Sequence, residues 1–431
     1  MSKKSINIQH VTRIEGHGNI VVNAGDGHIE KVEWQVPEAP RLFEAMVLGR
    51  SWEDMQTIVS RICGICSISH SLACIKGIEA AMGIVVSEQT DKLRLLAHYS
   101  EQLQSHVLHI GYLVAPDLLG AKSVVPLVET HFDVVRLVIK LHRQANAWSD
   151  LLAGRTTHPI TFKPGGFSKV PAEASLRDLH AGLTNLIPDL KTLSSVLLSL
   201  ADKLPAFERE TEYVALRQPD TYTFYHGQIG SSDATETVPL NRFETVVNEY
   251  ISPQSTAKWA RWHRESYAVG ALARFNLNSA YLSPLAQEVA HAFGLRGKLT
   301  NPYLNTVVQL VECAHIVETS LALLDSLLTA GVQPETPNVK PRAGEGVGCV
   351  EAPRGILFHR YAFDAQGICT AANLVIPTNQ NHGNIQKDFE ALVPQIIDRD
   401  EEEIKLWLEM LVRSYDPCVS CSTHYLNVEF V

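Results

Sequence analysis

Arg61-Ile62-Cys63-Gly64-Ile65-Cys66-Ser67-Ile68-Ser69-His70 sets two thiols three residues apart, with an imidazole four residues beyond the second. A helix starting near Cys63 puts all three side chains on one face, because residues three and four apart are neighbours there. The spacing returns near the other end, in Asp416-Pro417-Cys418-Val419-Ser420-Cys421-Ser422-Thr423-His424, with the histidine three residues past the second thiol. Four thiolates in two pairs make a soft donor set, suited to zinc, an iron–sulfur cluster or nickel with iron. The halves of a compact zinc ribbon lie close in sequence, whereas 351 residues separate Cys66 from Cys418. That separation argues for a site at the heart of the fold. Cys74, Cys313, Cys349 and Cys369 stand alone and read as small buried hydrophobes.

Outward from the two motifs, the 431-residue chain is 45% hydrophobic and 19% charged, the balance of a chain that buries a large core. Its formal net charge of −10 argues against tracking phosphates, so no nucleic acid partner is expected. Eight cysteines are too few for a disulfide scaffold. Met1 to Gln9 lacks the apolar segment of a secretory signal, and the cytoplasm is the expected location. No window approaches 18 consecutive apolar residues: Leu183 to Leu204 is interrupted by Asn185, Asp189 and Lys191, so no direct membrane span is expected.

From Ser5 to Val36 apolar residues alternate, with Gly25-Asp26-Gly27 as a hairpin signal. Helical periodicity then dominates near 91–115, 122–152, 174–204, 240–251 and 302–330. Residues 156–171, 217–238 and 332–350 read as ordered loops, and strands return at 354–377 around Asp364-Ala365-Gln366-Gly367. A further helix covers roughly 383–413, with a break before Pro394. The expected fold class is mainly α (α+β): a large buried helical bundle with small antiparallel sheets from the N-terminal segment and from about 354–377. The expected organisation is one unit over 1–431. It comprises a β segment at 1–39, a helical body at 40–353, a hairpin, final helix and C-terminal metal motif at 354–424, and a tail at 425–431.

The two cysteine motifs resemble those of the large, catalytic subunit of nickel–iron hydrogenases, of cytoplasmic type. Further matches follow in the family's order: Arg13-Ile14-Glu15-Gly16-His17, Phe43-Glu44 ahead of Leu48-Gly49-Arg50, Glu351-Ala352-Pro353-Arg354-Gly355, and Ile376-Pro377-Thr378. The resemblance implies reversible heterolytic cleavage of H2. Cys63 and Cys418 become terminal thiolates on nickel, and Cys66 and Cys421 bridge nickel to an iron carrying carbon monoxide and cyanide. Glu15 relays the proton away from a terminal thiolate; without the cysteines it would read as a solvent-facing strand carboxylate. His70 supports a bridging sulfur from the second shell. Arg354 lies over the metals with Asp416 paired to it, and Pro353 and Thr378 line the pocket for the diatomic ligands. A magnesium ion is implied at Glu44, the Leu374 carbonyl and His424. One departure is that Ser105-His106 stands where many membrane-associated members carry Asp-His.

The four solitary cysteines are too few and scattered to hold an electron relay. The resemblance therefore implies an iron–sulfur small subunit and further electron-acceptor subunits. It also implies a maturation endoprotease that removes Tyr425 to Val431, the alternative being a tail that is kept and packs against the small partner. The competing readings are a structural zinc-binding protein or thiol oxidoreductase, and a complex I-like non-hydrogenase subunit. The last would lack both cysteine pairs.

Overall fold

The computed structural model describes residues 4–25 and 28–423, so His424, the tail and the Asp26-Gly27 turn lie outside the described residues. Its main helices are α1 (Ser67–Met82), α2 (Glu88–Leu108), α3 (Phe132–Ala153), α4 (Asn305–Ala330), α5 (Pro377–Ile396) and α6 (Glu401–Ser414). Local chemistry starts them: the Ser87 hydroxyl accepts Thr90 N–H at 3.0 Å at the head of α2, and the Asp400 carboxylate accepts Glu402 N–H at 3.0 Å at the head of α6. Helix α3 buries Val135, Val138, Leu141, Ala145, Trp148 and Leu152, a stripe at helical spacing that packs on α2. Pro302–Ala330, which contains α4, is long and apolar enough to cross a membrane by length and composition. Yet 72% of its most apolar window is buried inside the protein.

The expected N-terminal sheet is present as β1 (Lys4–Ile8), β2 (Asn19–Gly25) and β3 (His28–Gln35), antiparallel in that order. Ile6 lies opposite Val22, and Ile20 opposite Trp34; all four are buried. At the other end β4 (Gly344–Ala352), β5 (Gly355–Phe363) and β6 (Cys369–Val375) form a second antiparallel sheet. Strands β5 and β6 are the hairpin expected at 354–377. Strand β4 occupies sequence read as loop and assigned to the helical body, because Gly344, Gly346 and Gly348 weaken any strand signal.

Those glycines let helix α1 lie directly on the strand. A Cβ at Gly348 would sit 1.8 Å from the Ala73 carbonyl oxygen and 2.4 Å from Gly77 N, and one at Gly346 would sit 2.3 Å from Gly77 O. The seam has a functional consequence: α1 begins next to Cys66, and β4 leads into Arg354.

Three further expectations are corrected. The helix expected at 240–251 is a 3₁₀ turn (Leu240–Thr245) followed by a strand (Asn248–Tyr250) paired with Trp259–Arg261, in keeping with the β-branched Val246-Val247 between them. The loop expected at 217–238 contains Gln228–Ser231 and Ala234–Val238, which join Glu212–Arg217 and Tyr267–Ala268 in a four-stranded sheet. Helix α5 begins at Pro377, which suits the first helical position, and runs through Pro394; the break falls after the proline, before Asp400.

Gly348→Ala should force α1 away from β4 or displace backbone. The expected cost is about 1–3 kcal/mol or more, read as a lower thermal unfolding midpoint of the purified protein.

Candidate metal centre

Cys63 and Cys66 do not share a helix. A 3₁₀ turn at Ser60–Ile62 gives way at Cys63 to extended backbone (φ −140°, ψ 137°), and α1 starts at Ser67 with Cys66 as its N-cap. The loop folds Cys63 Sγ back over the next amides, so that Ile65 N–H donates to it at 3.3 Å and Cys66 N–H at 3.0 Å. From the far end of the chain, Cys418 Sγ arrives 3.7 Å from Cys63 Sγ. The Sγ atoms of Cys63, Cys66, Cys418 and Cys421 all lie within 4.8 Å of one another and are buried. This donor set fits a soft metal pair. Cys418 and Cys421 are joined as a disulfide in the structure, and only the reduced pair could offer two thiolates to a metal.

Burial opposes ionisation of Cys63, but the Cys66 thiol, the Arg354 charge and the Cys66 N–H outweigh it, and its pKa falls below the ordinary thiol value. The Cys63 sulfur and burial push Cys66 well above that value. Burial also opposes the Arg354 charge, yet Asp416, Cys66, Cys63 and Glu15 raise its pKa above the usual guanidinium value.

Glu15 lies between β1 and β2 and makes a β-bridge with Cys418, where Val419 N–H donates to the Glu15 carbonyl at 2.9 Å. Its half-buried carboxylate accepts Ser420 N–H at 3.1 Å on Oε2 and the Ser420 hydroxyl on Oε1, and Oε2 lies 3.2 Å from Cys418 Sγ. Gly16 permits this approach. Its φ is +83°, and a Cβ there would meet Ser420 N at 2.6 Å.

Arg354 Nη2 donates to Asp416 Oδ1 at 2.9 Å, and Nε to the Asp416 carbonyl; both residues are buried. Arg354 Nη1 is buried and has no hydrogen-bond partner among the described residues, a donor left over beside the cluster. The Thr378 hydroxyl accepts Cys418 N–H at 3.0 Å. His70 Nδ1 lies 3.1 Å from His359 Nε2, whose Nδ1 is 2.8 Å from the Tyr361 hydroxyl. Glu44 Oε1 accepts the Leu374 amide at 2.8 Å, which brings those two residues together; His424 lies outside the described residues.

A second polar assembly, not evident from the motifs, adjoins this one. Buried Arg274 donates through Nε and Nη2 to both oxygens of Glu312, at 2.6 and 2.7 Å. Through Nη1 it reaches Glu351 Oε2 and the Ala352 carbonyl, each at 3.1 Å, and through Nη2 also the Pro353 carbonyl at 3.1 Å. Glu312 takes in addition His106 Nε2 at 2.7 Å and the Tyr222 hydroxyl at 2.7 Å. Arg274 thus holds the two carbonyls immediately before Arg354. Burial opposes ionisation of Glu312, but Arg274 and His106 lower its pKa to about 2; at Glu351 burial prevails and raises it to about 7. The available signal was Gln309 and Glu312 inside an otherwise apolar helix, since buried polar residues are the informative exceptions.

Residues 41–131 and 215–424 match the family described as nickel-dependent hydrogenase, and residues 5–39 match one described as HoxL-like. The chain is 30% identical to sulfhydrogenase 1 subunit alpha of Pyrococcus furiosus over 98% of both chains. It is also 30% identical to the NAD-reducing hydrogenase HoxS subunit beta of Cupriavidus necator, over 99% of this chain and 96% of that one. A solved NAD+-reducing NiFe-hydrogenase in the H2-reduced state superposes with a TM-score of 0.87 at 25% identity, covering 98% of this chain and 99% of that one.

Removing Arg274 leaves two buried carboxylates without their cation. Arg274→Met is expected to cost about 3–5 kcal/mol, measured as a lower midpoint in denaturant or thermal unfolding against the unsubstituted chain.

Proposed function

We propose, from the premise that this chain belongs to the nickel-dependent hydrogenase family, that Cys63 and Cys418 are terminal ligands of nickel and that Cys66 and Cys421 bridge it to iron. The chain is the catalytic large subunit of a nickel–iron hydrogenase, an oxidoreductase acting on H2, with four cysteine ligands to the metals. Its relatives are subunits of heteromeric hydrogenases, so it works with a smaller partner subunit. The observation that carries the ligand assignment is the buried four-sulfur cluster drawn from the two ends of the chain.

When bound, the metals supply a soft Lewis acid that polarises dihydrogen. The chain's own groups then handle the proton. Cys418 Sγ lies 3.2 Å from Glu15 Oε2, so that with the Cys418–Cys421 pair reduced its thiol would be placed to pass a proton to the carboxylate. Ser420 N–H and hydroxyl hold that carboxylate in place, and its half-buried position opens the way outward. Arg354, fixed by Asp416, would be available through its unpaired Nη1 to a cyanide ligand. Thr378, whose oxygen already accepts Cys418 N–H, would offer its hydroxyl hydrogen, and Pro353 would give apolar contact to carbon monoxide. His70 steadies a bridging sulfur. Magnesium would be held by Glu44, the Leu374 carbonyl and His424; the Leu374 N–H to Glu44 hydrogen bond supports the nearness of the first two.

The partner is an iron–sulfur small subunit that takes the electrons onward to further acceptor subunits, in the cytoplasm. A maturation endoprotease removes residues 425–431 once nickel is in place. Elemental analysis tests the assignment against a structural zinc protein: nickel and iron in near-equal amounts support it, and zinc alone defeats it.

Cys63→Ser or Cys418→Ser should abolish H2 turnover and lower nickel content, because a hydroxyl is a poor ligand for a soft metal. Full nickel with retained turnover in either variant would end the ligand assignment. Glu15→Gln keeps the size and most hydrogen bonds but removes the base. Hydrogen–deuterium exchange with solvent is expected to collapse while the metal spectrum stays; unchanged exchange would mean the proton leaves elsewhere.

A further inference from the structure

We propose that Gln309, backed by His109, is a positioning residue that sets the Asp416 carboxylate and, through it, Arg354 beside the sulfur cluster. The proposal rests on the placement of Arg354 and Asp416 in the hydrogenase site. The two oxygens of Asp416 are held separately: Arg354 Nη2 donates to Oδ1 at 2.9 Å, and Gln309 Nε2 donates to Oδ2 at 3.2 Å. An ion-paired carboxylate accepts, so Gln309 faces it with the amide NH2, which turns Oε1 toward His109. His109 joins that oxygen to the backbone: its Nδ1 lies 2.5 Å from Gln309 Oε1 and its Nε2 lies 2.6 Å from the Arg413 carbonyl oxygen.

The row closes on the segment it starts from. The Arg413 carbonyl that receives His109 also receives Asp416 N–H at 2.8 Å. Asp416 has a φ of +48°, a left-handed conformation rare outside glycine that persists where its surroundings hold it. Gln309 and His109 are fully buried, on α4 and on the π-helical turn His109–Val114 that follows α2. Arg413 is itself fixed by Asp117, Nε to Oδ2 at 2.7 Å. Ser105, at the position where the family resemblance marks a departure, has no hydrogen-bond partner for its Oγ among the described residues and gives Asp416 no support.

Gln309→Met keeps length and volume and deletes both amide bonds. In metal-loaded enzyme with its partner subunit, the expected result is kcat lowered about 10- to 100-fold, with nickel and iron content unchanged and the infrared bands of the iron's diatomic ligands shifted. Asp416→Asn is the comparison, and the double variant is the arbiter. If Gln309 acts through Asp416, adding Gln309→Met to Asp416→Asn lowers kcat no further. An additive loss assigns Gln309 to general packing and overturns the proposal. So does full activity of Gln309→Met where Asp416→Asn is crippled, and that result leaves the site assignment standing. Wild-type turnover in Asp416→Asn overturns the assignment and the proposal together. Should the methionine variant not fold, Gln309→Glu, which sets a repelling oxygen against Asp416, carries the same test: loss of kcat at full metal content supports the proposal, and full activity overturns it.

Discussion

Four sulfurs within 4.8 Å of one another in a buried pocket would, as metal-binding thiolates, concentrate negative charge where water cannot screen it, and the surrounding structure is arranged to meet that demand. Two backbone N–H groups close on Cys63 Sγ, and a buried guanidinium lies beside the thiols. A buried guanidinium needs its own partners, so Asp416 holds Arg354, and Arg274 holds the carbonyls on which the Arg354 segment hangs. Arg274 is paired in turn with Glu312 and Glu351. Each buried charge is thus justified by the next, and the series begins at the thiolates.

Assembly from distant parts of the chain is the second demand. Cys63 and Cys418 are 355 positions apart, and Glu15 comes from a third region. Close backbone approach meets that demand at two places. Gly16 lets the Glu15 loop lie against Val419 and Ser420, and the glycines of β4 let α1 lie on the strand. The α1–β4 seam spans the elements that carry Cys66 and Arg354, so it fixes the distance between a ligand and the cation beside it.

The cysteine pairs were legible because thiols at that spacing have few other uses, and the motifs around Glu15, Arg354 and Asp416 placed those residues by resemblance. The N-terminal sheet and the long helices were legible from periodicity. Strand β4 was not, because its alternate glycines serve a tertiary contact and erase the local signal. The start of α1 was misjudged because Cys63 takes an extended conformation that the thiol's own hydrogen bonds impose. Arg274, Glu312, Gln309 and His109 carry no motif. Their meaning lies in partners 38 to 304 positions away, which no spacing rule reports.

The two carboxylates nearest the cluster differ in what their donors can surrender. Asp416 accepts from a guanidinium and an amide, neither of which gives up a proton under ordinary conditions, so its oxygens are committed to orientation. Glu15 Oε2 is shared between a backbone N–H and Cys418 Sγ, and a reduced Cys418 thiol would be the one donor in either set that readily releases its proton. Exposure follows the same division: Asp416 is enclosed, and Glu15 is half-buried. In the proposed function the two acids beside one cluster would take separate tasks, one holding a charge still and the other moving a proton, and it is the identity of their donors that separates them.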